Sequence, residues 1–176
     1  MKRLAIITTH PIQYYAPLFR LLSERKNIDV KVFYTWGEQS KDKIFDPGFG
    51  KVREWDIPLL EGYKYEFITN ISTIPGSHHF WGINNPNLIQ KINHWNANAV
   101  LVIGWNFKSH LRAMIYFKGK IPVLFRGDST LLDEEKGFSI KKIKCSKYVL
   151  KIKYLSGDFS FLNTLKLIFG LNNMTA

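Results

Sequence analysis

Only one cysteine, Cys145, occurs in the 176 residues. It can close no disulfide within the chain, so the fold must be held by its core, and a reducing compartment is expected. No uninterrupted apolar stretch approaches the roughly 18 residues a membrane span requires. After Met1-Lys2-Arg3 the apolar run is only Leu4 to Ile7 before Thr8 and Thr9, too short for the core of a secretory leader. The loop that follows, Thr8-Thr9-His10-Pro11-Ile12-Gln13, contains no glycine. A dinucleotide fingerprint would place G-x-G-x-x-G there, and a P-loop would need G-x-x-x-x-G-K-[ST], which is also absent. Neither NAD nor a nucleoside triphosphate is expected in that loop. A serine elbow, G-x-S-x-G, is missing as well. His78 and His79 are adjacent, and His10, His94 and His110 show no ligand spacing, so no metal is expected and no cofactor is indicated. Cys145 sits among lysines that would lower its pKa, but no histidine partners it and it reads as an ordinary thiol. Internal repeats and low-complexity segments are absent too.

What is present describes a globular chain. The length suits one domain of about 150 residues with a real core. A hydrophobic content of 45% excludes a disordered composition. Aromatics reach 15%, which suits either an aromatic core or a large groove. The net charge of +11 is uneven. Residues 136–176 carry Lys136, Lys141, Lys142, Lys144, Lys147, Lys151, Lys153 and Lys166 against the single acid Asp158. Such a tail is either a solvated lysine-rich face or a contact for nucleic acid, an anionic membrane or phosphorylated substrates. Over 136–154, Ile140, Ile143, Val149 and Ile152 would form the apolar side of a basic amphipathic helix. That form suits a membrane surface at least as well as DNA. Without a zinc-finger or RNA-recognition signature, nucleic acid is the weakest of these partners.

Leu4 to Ile7 reads as a strand buried on both faces, hence central in a parallel sheet. Pro11 disfavours helix at His10. Pro17 fits a first helical turn, and Leu18, Leu21 and Leu22 give that helix an apolar side. Val30 to Tyr34 is a second strand, ending on Trp36-Gly37. Residues 38–50 read as polar turn material and 52–57 as a short strand. Tyr63 to Ile68 reads as a further strand, and 69–84 as a long loop. Asn85 reads as an N-cap with Pro86 at the first helical position, followed by Leu88, Ile89, Ile92 and Trp95 at helical spacing. Ala99 to Ile103 is a fully apolar strand closing on Gly104-Trp105-Asn106. A helix is expected over 107–117, then a strand over Ile121 to Phe125, ending on Arg126-Gly127-Asp128-Ser129-Thr130.

Apolar strands alternating with helices predict an α/β domain, a Rossmann-like, mostly parallel sheet with helices on both faces. Right-handed crossovers then collect the loops after the strands on one edge. His10 to Tyr15, Trp36-Gly37, Gly104 to Asn106 and Arg126 to Ser129 meet there, in the position where open α/β sheets bind ligands. Each has a structural reading beside the functional one: His10 as a strand terminator, Trp105 packed under a helix, Arg126 paired with Asp128.

His10-Pro11-Ile12-Gln13-Tyr14-Tyr15-Ala16-Pro17-Leu18-Phe19 resembles the opening of bacterial glycosyltransferases with the two-domain GT-B fold, in the retaining family 4 class. Further segments agree in order. Trp55 to Tyr63 is similar to W-D-[IV]-P-L-L-x-G-Y, and Phe80-Trp81-Gly82 through Asn85-Pro86 to the family's next loop. Gly104-Trp105-Asn106 through Ser109-His110 is similar to G-W-x-x-x-[ST]-H, and Arg126-Gly127-Asp128-Ser129 to R-G-[DE]-S. The matches cover roughly residues 3 to 136.

The resemblance implies the N-terminal, acceptor-side domain of an enzyme moving a sugar from a nucleotide-sugar to a glycan or lipid-linked acceptor in cell-surface polysaccharide biosynthesis. It places residues 1–150 in that domain and leaves 151–176 as a divergent tail. In such enzymes a second domain holds the donor, and metal is usually not required. The sequence ends at residue 176, before that domain, so the chain reads as truncated and is expected to show no turnover alone. The resemblance implies catalytic roles for Arg126, on donor sugar or acceptor, and Asp128, orienting or deprotonating the acceptor hydroxyl. A retaining transfer can instead use the leaving phosphate as base. It implies substrate contacts for His10, Gln13, Asn106 and Ser129, and sugar stacking for Trp81 and Trp105. A cytoplasmic location, peripheral at the inner face of the plasma membrane, is expected, as is a homodimer through the interdomain face. The alternative is a non-enzymatic interaction or membrane-surface protein derived from the same domain.

Overall fold

A computed structural model describes residues 1–25, 27–36, 44–46, 51–53, 57–104, 106–126 and 153–154; in the short stretches at 44–46, 51–53 and 153–154 only the backbone is considered. In chain order the elements are β1 (Lys2–Thr8), α1 (Ala16–Glu24), β2 (Ile28–Tyr34), β3 (Ile44–Asp46), β4 (Lys51–Arg53), β5 (Lys64–Phe67), a 3₁₀ turn (Phe80–Gly82), α2 (Leu88–His94), β6 (Ala99–Ile103), α3 (Lys108–Phe117), β7 (Val123–Arg126) and β8 (Lys153–Tyr154). Six strands form one sheet in the order β5-β2-β1-β6-β7-β8, and every neighbouring pair is parallel.

The apolar run of β1 explains its central place. Leu4, Ala5, Ile6 and Ile7 are fully buried, so both faces of the strand need cover. Successive side chains of a strand point to opposite faces. Leu4 and Ile6 join Val30, Val32, Leu101 and Leu124 in the core beneath α1. Ala5 and Ile7 join Phe33, Val100, Val102 and Phe125 in the core beneath α2 and α3. The domain is therefore a three-layer α/β sandwich with helices on both faces, as its strand–helix alternation predicts.

α1 buries Ala16, Phe19 and Leu22 on one side. Phe19 stacks on Tyr15 at 5.9 Å and meets the edge of Tyr63 at 5.5 Å. The segment before β5 wraps over this helix. Arg20 donates to the carbonyls of Pro58 and Glu61, and its stem lies over Gly62, where φ is +80° and a side chain would be strained. Tyr63 donates its hydroxyl proton to Leu59 O, so Tyr34 must donate to Tyr63 at 2.7 Å. Burial raises the pKa of both phenols, and they stay protonated. The Pro-Leu-Leu-Glu-Gly-Tyr stretch thus works here as a clamp between α1 and β5.

Two local expectations differ from the structure, and a third lies almost wholly outside the described residues. Residues 44–46, read as turn material, form β3 and pair antiparallel with β4 in a separate two-stranded ribbon. α2 begins at Leu88 after Asn87, and the Asn85 side chain caps nothing. The basic helix expected over 136–154 falls outside the described residues except for 153–154, which pair with β7 as β8.

Candidate functional site

Reading across the sheet, β2 and β5 follow β1 to one side while β6 and β7 lie on the other. The chain direction around the sheet therefore reverses between β1 and β6, and crevices for ligands open at the carboxyl ends of such strands. Thr9-His10 follows β1, Gly104 and Asn106 follow β6, and Arg126 ends β7. Thr8 O and Thr9 O accept from the backbone N–H groups of Thr35 and Trp36, which extends the β1–β2 pairing into this edge. The Gly104 N–H binds Arg126 O at 2.9 Å. Gly104 takes φ +74°, a turn that lets the chain leave β6 sharply.

β1 and β7 are two strand spacings apart, about 10 Å. Arg126 spans part of that gap: its guanidinium carbon lies 5.2 Å from the centre of the Tyr15 ring. The start of α1 and the end of β7 therefore touch across the reversal. His10 Nδ1 meets Thr9 Oγ1 at 2.9 Å. Burial lowers the His10 pKa, which keeps the imidazole neutral near neutral pH. Its Nε2 makes no hydrogen bond among the described residues. Gln13 and Asn106 are exposed at the same edge.

The start of α1 is poorly furnished for an anion. The N–H groups of Tyr15 and Ala16 both bind Ile12 O, at 3.1 and 3.0 Å. Pro11 and Pro17 have no N–H to offer. A diphosphate held at this helix start, as in dinucleotide-binding domains, would find few donors.

Beneath the crevice lies a polar network that the sequence did not reveal. Asn85 Nδ2 donates to Thr35 O, Ile68 O and Thr69 O at 3.0, 2.9 and 3.1 Å. Its backbone N–H binds Ser109 Oγ at 2.6 Å, and that hydroxyl donates to Ile83 O. His110, fully buried, places Nδ1 2.7 Å from Gly104 O and Nε2 2.8 Å from Thr35 Oγ1, which also faces Thr8 O at 3.1 Å. The ends of β1, β2, β5 and β6 and the first turn of α3 are tied together by these three side chains. His110 had one legible signal: it falls with Ala113, Met114 and Phe117 on the buried face of α3.

The loop from 70 to 84 is also built. Asn70 Oδ1 accepts from the N–H groups of Ser72 and Asn84, and its amide donates to Gly82 O. Ser72 Oγ donates to Trp81 O. Gly82 needs no unusual φ; it is glycine because a Cβ there would collide with the Gly76 carbonyl. Gly82→Ala is expected to prise residues 76 and 82 apart and to lower stability by about 2 kcal/mol. Urea unfolding checks the loss, and limited proteolysis should show faster cutting between 70 and 84.

Trp81 stands on this loop at the same edge, 64% exposed, with Lys108 Nζ 5.2 Å from its ring centre. Of the residues proposed from sequence, the structure brings His10, Gln13, Asn106, Arg126 and Trp81 to this edge. Trp105, Asp128 and Ser129 lie outside the described residues. Among the described residues no three His, Cys, Asp or Glu side chains gather as a metal site.

A cavity of about 570 Å³ opens at the opposite edge, lined by Ser23, Arg25, Asp29, Tyr63 and Lys64 among others. Of its two carboxylates, Glu24 and Asp29, the latter is committed: Asp29 pairs with Lys64 at 2.7 Å and lies 4.0 Å from Arg3. The carboxyl edge, with its uncommitted His10 nitrogen, exposed amides and the Arg126 guanidinium, is the candidate ligand site on chemistry.

Comparison with protein families, with curated proteins and with solved structures gives no match to this chain. The Rossmann-like α/β assignment rests on strand order and layering. No helix among the described residues is long and apolar enough to cross a membrane.

Proposed function

We propose that this domain forms the acceptor-side wall of a sugar-transfer site, with the crevice at the β1/β6 reversal facing the acceptor. The observation that carries the reading is the Arg126–Tyr15 contact. It joins two segments that resemble glycosyltransferase motifs, far apart in sequence, across the point where such a sheet binds ligands. The chemistry fits a hydroxyl-rich ligand. Gln13 and Asn106 amides donate and accept, neutral His10 offers Nε2, and Arg126 supplies a cation for a phosphate or carboxylate on the acceptor. The spent N–H groups at the start of α1 favour acceptor over nucleotide-sugar diphosphate on this side.

Trp105, Asp128 and Ser129 enter the proposal from sequence alone. In the full reaction the bond from the sugar anomeric carbon to the donor phosphate breaks and one to the acceptor oxygen forms. The acceptor proton passes to Asp128 or to the leaving phosphate. A donor-binding domain supplies the opposite wall.

Calorimetric titration with cell-surface glycan fragments, and a transfer assay in the presence of a GT-B donor domain, test this. The chain is expected to bind glycan in preference to nucleotide-sugar. Arg126→Ala and His10→Ala are each expected to weaken glycan binding about tenfold with the fold intact. Tighter binding of nucleotide-sugar than of any glycan would reverse the side assignment. Sugar transfer by the chain alone would overturn the half-site reading.

A further inference from the structure

The cavity of about 570 Å³ at the amino ends of the strands lies between the last turn of α1 and the starts of β2 and β5. Its volume is in the range of small-molecule sites. Its inner part is apolar. Ile28 and Val30 project from β2 toward α1 and are almost fully buried. Tyr63 has its hydroxyl engaged by Leu59 O and Tyr34, so it offers the cavity only its ring. Asp29 and Lys64 belong to the other face of the sheet. Lys31 is in register with Lys64, and Asp29 precedes Lys31 by two residues, so the three share a side. Asp29 and Lys64 neutralise each other there at 2.7 Å.

Three consecutive residues at the end of α1 are left to serve a ligand. Glu24 and Arg25 are exposed, carry opposite charges and enter no ion pair among the described residues. Ser23 Oγ is buried and has no hydrogen-bond partner among the described residues. A serine within a helix commonly bonds the carbonyl one turn back. Here the hydroxyl keeps both its proton and its lone pairs available. A buried polar group without a partner costs free energy, and a ligand that reaches it removes that cost.

Charge balance narrows the ligand. A simple amine would gain Glu24 and meet Arg25, and a simple carboxylate would do the reverse. A molecule with both charges close together satisfies both residues, and an apolar body fills the inner part. We propose that this cavity binds an α-amino acid with an aromatic side chain. The ammonium group faces Glu24, the carboxylate faces Arg25, and the Ser23 hydroxyl bonds the polar end. The side chain lies on Ile28 and Val30 beside the Tyr63 ring, where an aromatic pair adds to the apolar burial. α1 spans nine residues, about 13 Å, between Tyr15 at the crevice and this cavity. The two sites are therefore separate, and the proposal stands independently of sugar transfer.

The experiment titrates the isotope-labelled full chain with L-phenylalanine and follows the backbone amide shifts. Saturable shifts are expected at residues 23–25, 28–30 and 62–64, and none at His10, Asn106 or Arg126. Phenethylamine lacks the carboxylate, 3-phenylpropionate lacks the amine and L-alanine lacks the ring. Each is expected to bind about tenfold more weakly. Glu24→Gln and Arg25→Gln should each weaken phenylalanine binding about tenfold, with circular dichroism checking that the fold is retained. Ser23→Ala should also weaken it while leaving the urea midpoint unchanged or raised, because the folded chain loses an unpartnered hydroxyl; a merely structural serine would lower the midpoint. The absence of saturable shifts with phenylalanine would overturn the proposal. So would shifts centred on the carboxyl edge, any one of the three analogues binding as tightly, or binding unchanged in both Glu24→Gln and Arg25→Gln.

Discussion

Replacing Asn85 with leucine is expected to lower stability by about 4 kcal/mol, a large share of what a domain of this size possesses. The side chain is only 3% exposed, and its amide group holds three carbonyls from the ends of β2 and β5. Leucine fills the space but donates to none of them. Each buried carbonyl left unpaired costs about 1–3 kcal/mol, offset in part by the leucine's own apolar burial. Asn85 Oδ1 has no partner among the described residues, so removing that oxygen recovers a little. Asn85→Asp sharpens the test because it keeps the shape. A carboxylate oxygen would face three carbonyl oxygens, so the acid must stay protonated and can serve only one. The Asn85→Asp variant is therefore expected to be strongly destabilised at pH 7 and less so at pH 4. Urea midpoints at the two pH values read both effects. A loss under 1 kcal/mol in Asn85→Leu would mean that water reaches the three carbonyls and that this edge is open in the folded state.

Asn85 also shows where the sequence stops informing. Asparagine before proline, followed by helical apolar spacing, has the form of an N-cap. The side chain instead serves acceptors 16 to 50 residues away in sequence. Local pattern carries no record of partners that only the closed sheet brings near. By contrast, β1 and β6 were legible because a strand covered on both faces must be apolar at every position, and both runs are. Their central location and the parallel order followed from that one constraint. β3 and β4 were missed or blurred because three-residue strands leave too few positions for a period to appear.

The candidate crevice was legible for a different reason. Topology alone sends the loops after parallel strands to one edge, so His10, Asn106 and Arg126 could be placed together before any contact was known. What topology could not supply is which of them touch. The stacking of Arg126 on Tyr15 depends on the turn at 13–15 and the exact end of β7. The lysine-capped aromatics of the α3 face likewise depend on the loop that lifts Trp81 beside Lys108. The candidate crevice and the exposed face of α3 hang on one polar scaffold: Ser109 and His110 occupy the first turn of α3, immediately after Lys108.

That scaffold should make the fold acid-sensitive through His110. Burial drives its pKa down to about 4, against an ordinary value of 6.5, and the hydrogen bonds to the Gly104 and Ile103 backbone only partly oppose this. The unfolded chain binds a proton at this ring below pH 6.5, while the folded chain refuses it until about pH 4. Stability from this residue is therefore complete above pH 6.5 and falls as pH drops toward 4, by up to about 3 kcal/mol. Proton counting also fixes the tautomer. Gly104 O can only accept, so Nδ1 carries the hydrogen and Nε2 is the lone pair facing Thr35. The Thr35 hydroxyl has one proton for both Nε2 and Thr8 O, so the neutral ring leaves one of those contacts unfilled. Protonating the ring would complete the chain of donors, yet desolvation outweighs that gain. Nitrogen shifts of the His110 ring should report an Nδ1–H neutral form down to about pH 4. In His110→Gln the urea midpoint should be lower at pH 7.5 and its fall between pH 6.5 and 4 shallower, with His10, whose pKa burial also lowers, and Glu66, whose pKa partial burial raises but Lys31 and Lys91 hold down on balance, contributing to the slope that remains. An unchanged slope in the variant would remove His110 from the acid response and reopen the burial of the network itself.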